Sequence, residues 1–517
     1  MLYANSHVGL ALWRTSVGRM HANLRGRDLF GDLVGECRRR GIHALGYFSV
    51  TYDNWAFENH PDWRLLPAEG PDYYLGGRAG IVCPNTAYRD YALACTREIV
   101  GRYEIAGIFF DMTFWNTVCY CARCTERFRR EHGSEPPRRV DWDDASWRAF
   151  HGARQAWLLE FARALTGAAH AARPGVTVEH QFATIFGNWQ RGQPLEIASA
   201  CDYVGGDFYG GPTEHSLVCK TYDGLTRGRP IELMTSRTRR GNDHVTQKPF
   251  EELRTEACVA TLHSAALLLM LAKIARETAP YEPFLGGDLL ADVALYFDKE
   301  SLYNPAETGV DVARLRAPDQ CPHRDALVGA ARLLQEAHLP YGVVTNANLD
   351  RLARYRAVIL PSVLELTREQ AERFRGFVRG GGVLVATGPS SLDRKAGRFL
   401  LEDVFGARYV GRLGTRLTYL TPRDREVADA IWPQDHLAHA GAMVQAVAAE
   451  DAEVLATVTL PFAPPEQGTV IGSRFGAYWS NPPALKAGSD PAAVLHRFGA
   501  GRALWLAAPL ETTNESV

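Results

Sequence analysis

Across its 517 residues the chain alternates short apolar runs with stretches of helical periodicity, and that alternation leaves few folds open. Strand, helix and strand in succession build a parallel sheet with helices on its faces. The first series reads as strand at 8–12, helix at 28–40 with Leu29, Leu33 and Cys37 on one face, and strand at 44–48. Helix 88–103, strand 107–111, helix 147–172 and strands 176–180, 203–207 and 231–235 follow, then helix 250–262 and the apolar run 265–272. Seven strands of this kind approach an eight-fold TIM barrel, the (β/α)8 type, of about 250 residues. One strand is missing from that count, and the pattern places the gap at the start.

A second alternating series follows. Strands are expected at 292–297, 341–344, 357–361 and 383–386, with helices at 324–337, 348–355 and 367–379, the last with Thr367 as N-cap. This is the pattern of a doubly wound, flavodoxin-like α/β domain. Gly380-Gly381-Gly382 follows a helix and precedes a strand, the reverse of a phosphate loop. A hairpin is expected around Phe498 to Arg502. The chain therefore divides into residues 1–288 and 289–517.

Bulk properties exclude several classes. A formal net charge of -2 with scattered lysines and arginines argues against a nucleic-acid or membrane-surface protein. The longest apolar run, Ala265 to Ala272, falls well short of a bilayer span. Met1 runs almost directly into polar residues with no signal-peptide pattern, so a cytoplasmic location is expected.

Three of the ten cysteines fall within Cys119-Tyr120-Cys121-Ala122-Arg123-Cys124. With Cys83 they make a four-thiol set suited to tetrahedral zinc, and such closed sites are structural. Gly107-Ile108-Phe109-Phe110-Asp111 is an apolar strand ending in a carboxylate, followed by Phe114 and Trp115. In a parallel barrel the carboxyl ends of strands form the active-site face. Glu179, Asp207 and Glu232 end or line later strands and are the candidate partners of Asp111; Asp207 and Glu179 are favoured for acid/base duty. His7, Trp13, Trp55, Trp115, His180, Tyr209 and Arg237 lie near expected strand ends, where such side chains hydrogen-bond and stack on sugars.

These residues carry a resemblance. Cys83-Pro84-Asn85-Thr86-Ala87-Tyr88-Arg89, then Cys119, Cys121 and Cys124 with Phe128 nearby, are similar to the zinc cluster of family 42 β-galactosidases. Residues 292 to about 411 resemble the trimerisation domain of those enzymes. The Gly107–Asp111 strand resembles the nucleophile strand of α-L-fucosidases, and Ala4-Asn5-Ser6-His7-Val8-Gly9-Leu10 resembles a sugar-binding segment of fucosidase family 29. Together these match the arrangement of glycoside hydrolase family 151. The resemblance implies a retaining exo-α-L-fucosidase with Asp111 as nucleophile, His7 in the sugar-binding pair, structural zinc on the four cysteines, and a homotrimer acting on carbohydrate. It departs from that pattern at Asn5 and Ser6, and at Leu269 to Lys273, where a polar strand end is expected. A family 42-like β-galactosidase, or an inactive carbohydrate-binding scaffold, is the alternative.

Overall fold

The computed structural model describes residues 1–69, 74–75, 79–226, 228–238, 246–268, 272–315, 321–415, 417–423, 428–429, 436–441, 443–462 and 482–512. Two compact units emerge. The first comprises Met1–Gly287 with Asn304–Asp319, and the second Asp288–Tyr303 with Gln320–Val517. The chain thus leaves the first unit, returns for 304–319, and leaves again, an interleaving that a single cut near residue 288 does not show.

In the first unit, strands Leu2–Tyr3, Leu45–Ser49, Gly107–Asp111 and Thr177–His180 pair in that order, all parallel. Parallel bridges Val204↔Ile231 and Asp207↔Met234 continue the run to strand Ile231–Met234, which pairs with Ala265–Leu268. This is the parallel strand–helix succession of a (β/α) barrel. The opening strand is Leu2–Tyr3, not 8–12: there Gly9 takes φ +78° and the chain loops beside Asp53 and Trp55. A two-residue strand is too short to show a period. The helix after it, Leu29–Arg39, buries Phe30 and Val34, whereas Leu33 is 40% exposed, so its core face is turned from the expected one. Lys273 lies on helix Ala272–Thr278 with its ammonium over the Phe250 ring, so it does not end a strand. Leu269, Met270 and Leu271 lie outside the described residues.

Among the described residues the second unit holds a nine-stranded sheet. Five parallel strands run in the order Tyr341–Thr345, Val293–Phe297, Ala357–Leu360, Val383–Thr387, Gly501–Leu506. Numbered along the chain this is 2-1-3-4-5, the flavodoxin-like order. Ala484–Phe498, Glu453–Pro461, Thr418–Pro422 and Leu437–His439 extend it with antiparallel pairings. Gly499-Ala500 closes the hairpin, with Gly499 at φ +62° where a side chain would meet Arg379. Helix Arg368–Arg379 starts with a capping box between Thr367 and Gln370, which satisfies two of its free donors. No described helix is long and apolar enough to cross a membrane.

Candidate active site

Successive residues of a strand face opposite sides of a sheet. In the first unit Phe48, Phe110 and Val178 join the apolar layer under the helices. Tyr47, Phe109 and Glu179 stand level with one another on the other face, and Asp111 is two residues further along the same phase.

Asp111 is 6% exposed. The Tyr47 hydroxyl donates to its Oδ2 and the Met112 N–H to its Oδ1 at 2.8 Å. Met112 sits at φ +61°, a left-handed conformation uncommon for a residue with a side chain. Burial pushes the Asp111 carboxyl up to about 7, and the charge of Asp207 adds to that; the two donors pull the other way. The Tyr47 phenol is in turn pushed well up by burial and by Asp111.

Asp207 reaches the same space from its own strand end. It accepts from Gln181 Nε2 and from the Tyr209 hydroxyl, and its charge acts on Asp111, Tyr3, Tyr47 and His7. Gly206, at φ +144°, brings the backbone against Gln181, where a Cβ would stand 2.7 Å from Oε1. Tyr3 and Tyr209 are each about half exposed, and Tyr3 packs on Tyr47 with ring centroids 4.4 Å apart. His7 Nδ1 lies 2.9 Å from Ser49 Oγ, and burial lowers its pKa against the pull of Asp207. The Asn5 side chain grips Ser49 from both sides, accepting from its N–H at 2.8 Å and donating to its carbonyl at 3.3 Å. Asn5 therefore fixes the strand end that holds His7.

One level below lies a pair of buried acids. Glu179 is fully buried and Glu232 is 6% exposed. Gly205 lies between them: a Cβ there would stand 2.5 Å from Glu179 Oε1 and 2.6 Å from Glu232 Cβ. Both oxygens of Glu179, and Oε2 of Glu232, lack a well-formed hydrogen bond among the described residues. Burial and the Glu232 charge push Glu179 well up, and burial raises Glu232. Two carboxyls buried side by side and both raised are arranged to share one proton, a state that a variant at Glu232 tests.

The other expected residues lie elsewhere. Trp13 is in the core with its indole N–H on Glu98 at 2.9 Å. Trp55 packs on His60 and Tyr91. Trp115 is 1% exposed and donates to the Arg154 carbonyl. His180 faces the helices, stacked on Phe110 and hydrogen-bonded near Thr166, and burial lowers it to about 3. Arg237 is exposed on a bend after its strand. Tyr47, Gln181, Tyr3 and Asn5 were not among the expected site residues, or not in these roles. Carrying the two-residue period from Glu179 to Gln181, and from Asp111 back across the register to Tyr47, is the signal that finds two of them.

The four cysteines converge on one another. Cys83, Cys119, Cys121 and Cys124 are buried, and their sulfurs lie within 4.8 Å of one another. Cys83 and Cys124 are 3.4 Å apart and Cys83 and Cys121 3.7 Å. A disulfide would need about 2.05 Å. Four sulfurs each about 2.3 Å from a common ion would be about 3.8 Å apart, close to these values. The donor set fits a tetrahedral, closed metal centre. Asn85 Nδ2 donates to Cys124 Sγ at 3.3 Å.

Two family models match the chain. Residues 1–112 match "Hypothetical glycosyl hydrolase 6" and residues 291–515 match "Beta-galactosidase trimerisation domain". No curated protein matches it. Among solved structures, α-L-fucosidase isoenzyme 2 from Paenibacillus thiaminolyticus is 19% identical with a TM-score of 0.73, over 99% of this chain and 75% of that one. A β-galactosidase from Bacillus circulans sp. alkalophilus is 17% identical with a TM-score of 0.70, over 97% and 80%. The exo-β-1,4-mannosidase Op5Man5 from Opitutaceae bacterium strain TAV5 is 13% identical with a TM-score of 0.57, over 98% and 84%. At these identities the likeness establishes fold. The chain thus joins a (β/α) barrel, whose first 112 residues match a glycosyl hydrolase model, to a unit that matches the model of the β-galactosidase trimerisation domain.

Proposed function

We propose that the protein is a retaining exo-α-L-fucosidase with Asp111 as nucleophile and Asp207 as acid/base. The observation that supports this most is Asp111 itself: a buried carboxylate at a strand end, aimed by Tyr47 and the Met112 N–H, in the field of a second carboxylate. In the first step an Asp111 oxygen attacks the anomeric carbon, and the bond to the leaving oxygen breaks. The Asp207 carboxyl, as the general acid, gives a proton to that oxygen. In the second step Asp207 takes a proton from water, whose oxygen displaces Asp111 and frees the sugar. Gln181 and Tyr209 aim the Asp207 carboxyl. Tyr3 and Tyr209 offer exposed faces on which a sugar ring can stack.

The test is release of nitrophenol from aryl α-L-fucoside, β-D-galactoside and β-D-mannoside. Fucoside turnover supports the reading; galactoside or mannoside turnover alone reassigns the sugar, and no turnover supports a binding scaffold.

Tyr47→Phe probes the aiming of Asp111. Removing the hydroxyl takes away a donor to the ionised form, so the Asp111 pKa rises beyond about 7. The nucleophile must be ionised, so the acidic limb of the kcat/KM profile is expected to move up by about one pH unit. An unmoved limb would show that Tyr47 does not act on the nucleophile.

Zinc on Cys83, Cys119, Cys121 and Cys124 belongs to the same proposal. Held by these four thiolates, the ion would keep no open position, so it would tie the Cys83 loop to the start of helix Ala122–His132 and supply structure rather than chemistry. A homotrimer assembled through residues 291–515 completes the proposal, and light scattering tests it.

A further inference from the structure

Arg154 is the one fully buried large cation of its helix, Ala145–Ala172. It is 2% exposed, and its Nε and Nη1 find no hydrogen-bond partner among the described residues. Nη2 donates to two backbone carbonyls, Gln190 at 2.6 Å and Thr117 at 3.5 Å. The guanidinium carbon lies 5.8 Å from the ring centroids of both Trp115 and Trp189. Gly192, at φ +54°, lets the chain close over this cage: a Cβ there would stand 2.6 Å from Trp115 Cδ1. No described ion pair joins a carboxylate to Arg154. A buried cation without an anion is costly, of the order of several kcal/mol, and indole faces and carbonyls offset only part of that.

The face of the helix shows where the counter-charge lies. Phe150, Arg154 and Trp157 recur at helical spacing on one side. Phe150 packs on Tyr120 and Phe128, and the Trp157 indole donates to Glu131 at 2.8 Å. Tyr120, Phe128 and Glu131 belong to the cysteine-bearing segment, so Arg154 faces that segment with its neighbours. The Thr117 carbonyl that accepts from Arg154 Nη2 at 3.5 Å stands two residues before Cys119. The Tyr120 hydroxyl is spent on the Pro137 carbonyl. As neutral thiols the cysteines carry no charge. Four thiolates around one divalent ion carry a net charge of two minus.

We infer that Arg154 is the electrostatic counterpart of the four-thiolate metal centre, so that metal loading and the buried guanidinium stabilise each other. The inference rests on the metal reading of the cysteines. Linkage makes the effect reciprocal: whatever the cation adds to metal affinity, the metal adds to the stability of the caged cation. Arg154 also joins the segments around it: its cage includes Trp115, and Arg191, next to Gln190, donates to Asn116 at 3.2 Å.

The test compares wild type, Arg154→Met and Arg154→Lys as full-length protein. Zinc affinity is measured by competition with a chromophoric chelator, and cobalt substitution reports the ligands through sulfur-to-cobalt charge-transfer bands. Expected are four-thiolate cobalt bands in wild type, a zinc affinity lower by about 10-fold or more in Arg154→Met, and near-wild-type affinity in Arg154→Lys. Chelation is also expected to lower the wild-type Tm by more than that of Arg154→Met, because only wild type keeps an uncompensated cation. If Arg154→Met does not fold, Arg154→Gln takes its place under the same criteria. Equal affinities, or equal losses in the methionine and lysine variants, would overturn the inference while leaving the metal centre intact. A wild type that shows no thiolate bands and binds no zinc would overturn the metal reading itself.

Discussion

Asparagine at position 111 is expected to cut aryl α-L-fucoside turnover by about 10³-fold or more, and to make the barrel unit more stable above pH 7. The first effect follows from removing the nucleophile. The second follows from the energetic cost of keeping Asp111 ionised. Its folded pKa is raised to about 7 by burial and by Asp207. A carboxyl raised in the folded state contributes stability that is present below its unfolded value, about 3.9, and lost as pH rises through the folded value. Asparagine fills the same space, still accepts from Met112, and carries no charge to bury. Wild type and variant should therefore converge below about pH 4 and separate by about 4 kcal/mol by pH 8. Calorimetry at pH 4 and pH 8, beside nitrophenol release, reads both. Full activity in the variant would remove Asp111 from the mechanism. A variant less stable at pH 8 would show that Tyr47 and Met112 more than compensate the buried charge.

Gly205→Ala is expected to destabilise the barrel unit by about 3 kcal/mol or more. The added methyl must stand against Glu179 and Glu232, and neither acid can swing away, since both are enclosed. The loss should be the same at pH 5 and pH 8, because it is steric. Glu232→Gln should act in the other direction. Its amide can donate to Glu179 without a shared proton, so it keeps the contact at every pH. Both acids are raised in the folded state, so the wild-type pair loses stability as pH rises and the glutamine variant gains on it. A Tm for Gly205→Ala within a degree of wild type would mean that the glycine gap is not needed; a Glu232→Gln Tm below wild type at pH 8 would rule out the shared proton.

Much of this architecture was legible from the residues. Helix Phe250–Leu262 begins and ends where its periodicity does, Thr367 caps its helix as its position before the apolar run implies, and the hairpin at Gly499 sits where glycine allows it. What failed were short or context-set elements. Leu2–Tyr3 has no period to read, and the 203–207 run appears as two bridges. The first helix turned Phe30 and Val34 inward because its axis is set by the strands it covers. In the site, Asp111 and Asp207 converge because both close parallel strands. Glu179 and His180 illustrate the limit: neighbours on one strand face opposite ways, so the histidine went to the helices. The enclosure of Trp13 and Trp115 depends on residues far away in sequence, Glu98 and Arg154, which local pattern does not supply.

The place of strand Gly501–Leu506 has a consequence for how the protein is made. It lies inside the nine-stranded sheet, between Val383–Thr387 and Ala484–Phe498, although in chain order it follows every other described strand of that sheet. While a ribosome still holds these residues, the parallel half and the antiparallel half of that sheet have no common member. The edge of Val383–Thr387 then stands unpaired, a template for stray pairing with other chains. The second unit must therefore close late, by long-range pairing that is slow because loop closure precedes contact. Residues 1–287 and 304–319 of the first unit are synthesised well before then.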